Sequence, residues 1–237
     1  MCSTPPVSGN VVLVHGAWSS PSDWHWVRDL LIEHGVTVDV PDLASHRVPG
    51  ATHADDVDQV SQLVAAAPGP VVVAGWSYGG SVLTDLDVST LDVQRLIYVA
   101  AVPGVPPSDP VGDAPPVELD LSHLLFSDDG TVVLDNDWFV TSDPVMDTMP
   151  PEVVEHFRTH PRRPLPVDAA LAPPVRTAWR EVATTVILGR DDPLCPEPRQ
   201  EWVKHVVEDT RIVDSDHFIP FRRPDLVAGI ILEALAP

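Results

Sequence analysis

Short apolar runs punctuate the first hundred residues and return after residue 184. VVLV at 11–14, VTVDV at 36–40, PVVVAG at 70–75 and RLIYVAAV at 95–102 predict strands, and TTVILG at 184–189 and TRIVDS at 210–215 predict two more. Helical spacing fills the gaps. Ser22 to His34 predicts a helix that Ser22 or Asp23 could cap and that Gly35 ends. In THADDVDQVSQLVAAA at 52–67, Val57, Val60, Leu63, Val64 and Ala67 fall three and four apart, as on one helix face. Further helices are predicted from near Tyr78, from Glu197 to Val207, and from Pro224 to Leu235, where proline suits a first helical position. Strands alternating with helices at this rhythm predict the α/β class, with a mostly parallel sheet covered on both faces.

The rhythm stops between Gly104 and about Arg176. This stretch is dense in proline (PGVPPSDP, DAPP, MPPE, HPRRPLP, APP), and its main helix candidate is Glu152 to His160. A structureless loop of that length is rare in a compact domain, so an inserted cap or lid is expected. The predicted organisation is a core from residues 1–103 and 177–237, with a lid at 104–176. The 237 residues suffice for one sizeable core.

Composition narrows the partners. There are 35 acidic residues against 14 basic ones, a formal charge of −21, with Lys204 the sole lysine. Such a field repels polyanions, so nucleic acid and anionic membranes are not expected partners. Cys2 and Cys195 do not suggest a disulfide framework, and Cys195 is expected to be a small buried side chain. No basic-then-apolar leader is evident and no apolar run reaches the roughly 18 residues of a membrane span. The expectation is a cytoplasmic protein acting on a small molecule, compatible with a homodimer.

GWSYGG at 75–80 fits G-x-S-x-G and stands directly between a predicted strand and a predicted helix. On such a turn glycines permit close backbone approach, which holds the serine exposed above the sheet. Ser77 is therefore the candidate nucleophile. HGAW at 15–18 also ends a strand, and strand ends of a parallel sheet gather in one crevice. The N–H groups of Ala17 and Tyr78 are the candidate donors for an oxyanion. His217, after the last predicted strand, is the candidate base, and an aspartate of the 189–192 loop completes the order Ser, Asp, His. His15 is expected to be a packed loop histidine. His25, His34, His46, His53, His123, His156, His160 and His205 are expected to be solvated or satisfied locally. Neither a phosphate-loop motif nor a zinc-helix motif is present, and no cofactor or metal is expected.

These motifs resemble the α/β-hydrolase superfamily, and within it the small plant methyl-ester esterase and hydroxynitrile lyase group with its bacterial esterase relatives. The resemblance rests on VVLVHGAW with Trp24 and Leu30–Leu31, DVPDLASH at 39–46, VVVAGWSYGG, the Gly189, Asp192, Pro196 spacing, and DHFIPFRRPDLV. It implies a sheet of about six parallel strands. It also implies that Asp192, three residues after Gly189, is the triad acid, with Asp191 left to the turn or to solvent. The lyase branch carries a threonine where Gly16 stands and a lysine where Phe218 stands, so hydrolysis of an ester, thioester or lactone is favoured over cyanohydrin cleavage. A ligand-binding protein on the same scaffold is disfavoured because no triad member is missing.

Lid residues Phe126, Trp138, Phe139, Met146 and Met149, with Trp18, Trp76, Tyr78, Phe218 and Phe221 near the catalytic loops, suggest a pocket for an apolar or aromatic group. No basic pair stands beside them to hold an anion. Arg222 and Arg223 are expected to face solvent.

Overall fold

Six strands form one sheet in which every pairing is parallel, in the order β2-β1-β3-β4-β8-β9. The strands are β1 (Asn10–Val14), β2 (Thr37–Asp39), β3 (Val71–Trp76), β4 (Val93–Val99), β8 (Thr184–Gly189) and β9 (Asp209–Val213). The structure is a computed structural model that describes residues 9–236, so Cys2 and the rest of the N-terminal eight lie outside it.

The central strands are buried on both faces, and the two-residue period of a strand decides which helical layer each side chain meets. Val11, Leu13, Val72, Ala74, Trp76, Ile97, Val99 and Ile187 share one cluster with α1 (His25–Glu33) and α9 (Pro224–Leu235). Their neighbours Val12, Val14, Val71, Val73, Leu96, Tyr98, Val186 and Leu188 face α2 (His53–Ala66), α3 (Tyr78–Thr84) and α7 (Glu197–Val206). Helix α2 opens on a capping box, with Thr52 accepting from the Asp55 N–H and the Asp55 carboxylate accepting from Thr52 N–H at 2.8 Å. The stretch expected to be one helix from Ser22 splits into a 3₁₀ turn, Pro21–Trp24, followed by α1. Asp23 caps nothing there; it is buried, for a reason that lies in the insertion.

From β1 the chain steps outward to β2, then returns to place β3 on the other side of β1. That reversal opens a crevice beyond the carboxyl ends of β1 and β3. The segments that emerge there are HGAW and GWSYGG.

Between β4 and β8 the proline-rich insertion contains more structure than its sequence suggests. A three-stranded antiparallel sheet joins β5 (Leu124–Phe126), β6 (Thr131–Leu134) and β7 (Leu165–Pro166). With it go α4 (Asn136–Thr141), α5 (Pro151–Thr159) and α6 (Val167–Ala170). A last short helix, α8 (Ile219–Arg222), precedes α9.

Candidate active site

Strand β3 runs into α3 through Ser77, whose backbone takes φ 53° and ψ −118°. That conformation is strained for an L-residue and persists only where surrounding structure enforces it. Here the Ser77 N–H donates to Val99 O at 3.0 Å and the Gly80 N–H to Ser77 O at 2.8 Å. A Cβ on Gly79 would fall onto the Val14 carbonyl oxygen, so only glycine lets α3 start this close to β1.

The Ser77 hydroxyl points to His217, with 3.0 Å between Oγ and Nε2. On the other side of the ring, Nδ1 lies 2.9 Å from Asp192 Oδ2. The remaining Asp192 oxygen accepts the Leu194 N–H at 2.8 Å, and its side chain is wholly buried. This network assigns the tautomer: Nδ1–H donates to the carboxylate, leaving Nε2 to accept the serine proton. Asp191 is exposed and, among the described residues, only its backbone is engaged, donating to Ser215 O at 3.1 Å. Gly189 makes this acid loop possible, because a Cβ there would strike the carbonyl oxygens of Ser215 and Asp216. Trp76 steadies the histidine loop by donating from Nε1 to His217 O at 3.0 Å.

Three non-glycine residues among those described have positive φ: Trp18 at 57°, Ser77 at 53° and Ala100 at 47°. All three line the same cavity of about 630 Å³, together with Ala17, Tyr78 and His217. Strain gathers where three strand ends meet. Tyr78 is the first residue of α3, so its N–H has no acceptor within the helix and is available to an anion beside Ser77.

The insertion fastens the loop that carries Ala17. Trp18 donates from Nε1 to Val132 O of β6 at 3.0 Å, and Trp18 O accepts the Arg163 N–H at 3.0 Å. The Arg163 guanidinium donates twice to Ser19 O, at 2.8 and 2.6 Å, and reaches Asp42 Oδ1 at 2.7 Å. Behind this clamp lies the buried Asp23. His156 Nε2 is 2.6 Å from its Oδ1, the Ser19 hydroxyl donates to its Oδ2, and Arg162 pairs with Oδ2 at 3.3 Å. Burial works to raise the Asp23 pKa, but Arg162, His156 and Ser19 outweigh it and hold the carboxyl down at about 2. Arg162 in turn lies 4.5 Å from the Phe157 ring centroid.

The other histidines near the site are occupied. His15 is fully buried, with Nδ1 3.0 Å from Gly16 O and Nε2 accepting the Leu43 N–H at 3.2 Å; desolvation pulls its pKa down to about 4. It is a neutral structural group. His53 lies 3.1 Å from the Tyr78 phenol and 3.1 Å from Asp85 Oδ2. The phenol donates to Asp56 Oδ2 at 2.7 Å. Cys195 borders the cavity, and burial pushes its thiol up to about 12, so it remains protonated near neutrality.

Of the side chains expected to form the pocket, Trp18, Tyr78 and Phe126 line the cavity. Trp76, Phe139, Met146, Met149, Phe218 and Phe221 instead pack in the hydrophobic cluster on the α1 and α9 side of the sheet. Trp138 stacks on His123 with centroids 3.5 Å apart. The walls that sequence reasoning missed are aliphatic: Val117, Leu119, Leu121, Leu124, Val167 and Leu171 from the insertion and Leu194 from the acid loop. No periodic signal marks them. Arg222 departs from expectation as well, since it bridges Asp216, at 2.9 Å, to Thr148 O in the insertion, at 2.8 Å. Among the described residues no group of three or more His, Cys, Asp or Glu could hold a metal ion, and no helix is long and apolar enough to cross a membrane.

Comparison with known proteins agrees with this architecture. A pimeloyl-[acyl-carrier protein] methyl ester esterase of Vibrio atlanticus is 35% identical over 96 residues, which span 40% of this chain and 37% of that protein. A pyrethroid hydrolase of Sphingobium wenxiniae is 32% identical over 108 residues, 41% of this chain and 39% of its own. The chain thus aligns with well under half the length of either. A crystal structure of a pyrethroid hydrolase from Sphingobium faniae superposes with a TM-score of 0.74 over 97% of this chain and 98% of that one, at 22% identity. The sequence profile of the alpha/beta hydrolase family matches residues 11–230, which takes in the six parallel strands but for Asn10, the strained serine turn and the acid and histidine loops. The chain belongs to the alpha/beta hydrolase family.

Proposed function

We propose that the protein is a serine carboxylesterase for small, largely apolar esters, thioesters and lactones being variants of the same chemistry. The observation that carries this reading is the continuous Ser77, His217, Asp192 hydrogen-bond chain opening on a largely apolar cavity. The Ser77 oxygen attacks the ester carbonyl as its proton passes to His217 Nε2, and the Asp192 carboxylate steadies the imidazolium. The N–H groups of Ala17 and Tyr78 hold the oxyanion, each donor worth about 3 kcal/mol in such sites. The tetrahedral adduct collapses, His217 protonates the departing alcohol, and the acyl group stays on Ser77. Water, losing its proton to His217, then releases the acid and restores the serine. The names of the relatives, a methyl ester esterase and a hydrolase, support ester cleavage.

In this reading residues 104–176 act as the lid over a core of 1–103 and 177–237. The enzyme is cytoplasmic, works without a cofactor and takes a small molecule; the charge of −21 supports the exclusion of polyanionic partners. Lyase chemistry is disfavoured at Gly16, where even a Cβ would lie 3.0 Å from the Trp76 ring. Ser77→Ala tests the proposal. Turnover of p-nitrophenyl esters should fall by about 10⁵-fold or more, and fluorophosphonate labelling should vanish, with the melting temperature retained. Comparable turnover in the variant would sink the serine mechanism.

A further inference from the structure

The chain holds 35 acidic residues, yet none of them lines the Ser77 cavity. A neighbouring cavity of about 780 Å³ is bordered by Asp58, Asp85, Asp87, Asp129 and Asp168. The one permanently charged side chain on the Ser77 cavity is a cation, Arg199. It stands in the first turn of α7, where the helix dipole disfavours positive charge, so helix stability does not explain it. Its Nη1 donates to Leu194 O at 3.2 Å, and its Nε is buried without a hydrogen-bond partner among the described residues. It enters none of the ion pairs formed by the described residues. A guanidinium in a largely apolar wall, with most of its donors uncommitted, is matched to an anion delivered by the ligand.

We propose that Arg199 receives an ionised carboxylate at the far end of the substrate, so that the preferred substrates are half-esters of aliphatic dicarboxylic acids. The inference rests on the esterase reading and deepens it. The aliphatic side chains accept the methylene chain, Ser77 meets the ester end, and the guanidinium fork meets the acid end. A carboxylate suits the site better than a phosphate, because one fork balances one negative charge and the surrounding field of −21 penalises a second. The net negative charge also makes the cavity selective: an anion is welcome only where Arg199 can pair with it.

The experiment compares kcat/KM for methyl half-esters of dicarboxylic acids, from succinate to sebacate, with the methyl esters of length-matched monocarboxylic acids. At the best chain length the wild-type ratio should be at least about tenfold in favour of the half-ester, and should shrink with added salt. In Arg199→Gln that ratio should fall by about tenfold or more, with part of it kept in Arg199→Lys. A merely structural arginine would lower both rates together and leave the ratio intact. A wild-type ratio at or below one for every length, or an unchanged ratio in Arg199→Gln, overturns the proposal. Failure of the esterase reading shows separately, as no fluorophosphonate labelling and no ester turned over. Calorimetric binding of the half-esters to the Ser77→Ala protein and to its Arg199→Gln derivative then decides the role of Arg199: wild-type-like affinity in the latter overturns it, and loss supports it.

Discussion

Helix α3 has an aspartate–histidine couple at each end. At its start Ser77 meets His217, which is paired to Asp192; at its end Asp85 is paired to His53. The distances are similar, 2.9 Å in the first couple and 3.1 Å in the second, and each couple borders a cavity. What differs is the group on the histidine's free nitrogen. His217 faces a serine hydroxyl whose backbone is held in a strained turn opening on the cavity, whereas His53 faces a phenol already donating to Asp56. Asp85 is also committed elsewhere, accepting the N–H groups of Val175 and Arg176 at 2.8 and 2.9 Å. Burial pushes the Tyr78 phenol well above its ordinary pKa, and the Asp56 charge adds to the shift, so it stays protonated near neutrality with its hydrogen committed to Asp56. An aspartate and a histidine in contact become reactive only when the third group's hydroxyl hydrogen is not already given to another acceptor and the group is open to a ligand. The larger cavity is therefore not the reactive one.

Substitution at the two aspartates separates the couples most sharply. Asp192→Asn should lower kcat by about 10⁴-fold, because the amide favours the wrong imidazole tautomer. Asp85→Asn should leave kcat within about tenfold while costing about 1–3 kcal/mol of stability, read by urea denaturation, since the Val175 and Arg176 N–H groups lose a charged acceptor. Asp191→Asn should change kcat by less than about threefold. Equal losses at 85 and 192 would erase the distinction.

Acid should act on yet another kind of histidine, one buried without a hydrogen bond to a carboxylate. His15, at about 4, and His46, at about 2, are both lowered chiefly by desolvation, so the unfolded chain binds protons that the folded chain refuses. Their contribution is present above pH 6.5 and is lost as pH falls, toward 4 for His15, where it begins to protonate in the folded protein, and on toward 2 for His46. For His15 the loss amounts to about 3 kcal/mol, measured as a falling denaturant midpoint across that window. A flat profile would contradict the burial.

A smaller effect is expected at the clamp. Arg163→Ala should lower kcat by about ten- to a hundredfold with KM nearly constant, because the loop bearing Ala17 loses its side-chain tether but not its backbone bond to Trp18. Smallest of all, Leu171→Trp should raise KM several-fold for the longest esters, whereas Ala54→Trp, on the acidic cavity, should leave kcat/KM within about twofold. A large response at position 54 would mean that the acidic cavity also takes part.

The sheet was readable because its strands are buried on both faces, and such strands appear as short apolar runs; TTVILG predicts 184–189, the span that β8 occupies. Ser77 and His217 were readable because each follows a strand end, while Asp192 was told from Asp191 only by the resemblance of the acid-loop spacing. The pocket was not. Phe139, Met146 and Met149 are as apolar as Leu121 or Leu171, and only three-dimensional packing decides that the first three enter the core while the others face a ligand. Asp23 shows the same limit. An aspartate at a helix start reads as a cap, yet here it is claimed by His156, which is 133 positions away in the sequence. Arg199 was not readable because its one local oddity, a cation in the first turn of α7, suits a solvated side chain equally well.

The bonds from Val132 and Arg163 to Trp18 and Ser19 have a practical meaning for protein engineering. They fasten the loop at the mouth of β1 to the insertion rather than to the sheet. A chimera that replaces residues 104–176 with another family member's insertion would exchange this fastening along with the pocket walls. Substrate range and catalytic competence are therefore inherited as one module. Libraries that randomise the insertion should spare Val132 and the Arg162–Arg163 pair and vary residues such as Leu119, Leu121 and Leu171, which touch the cavity and are exposed.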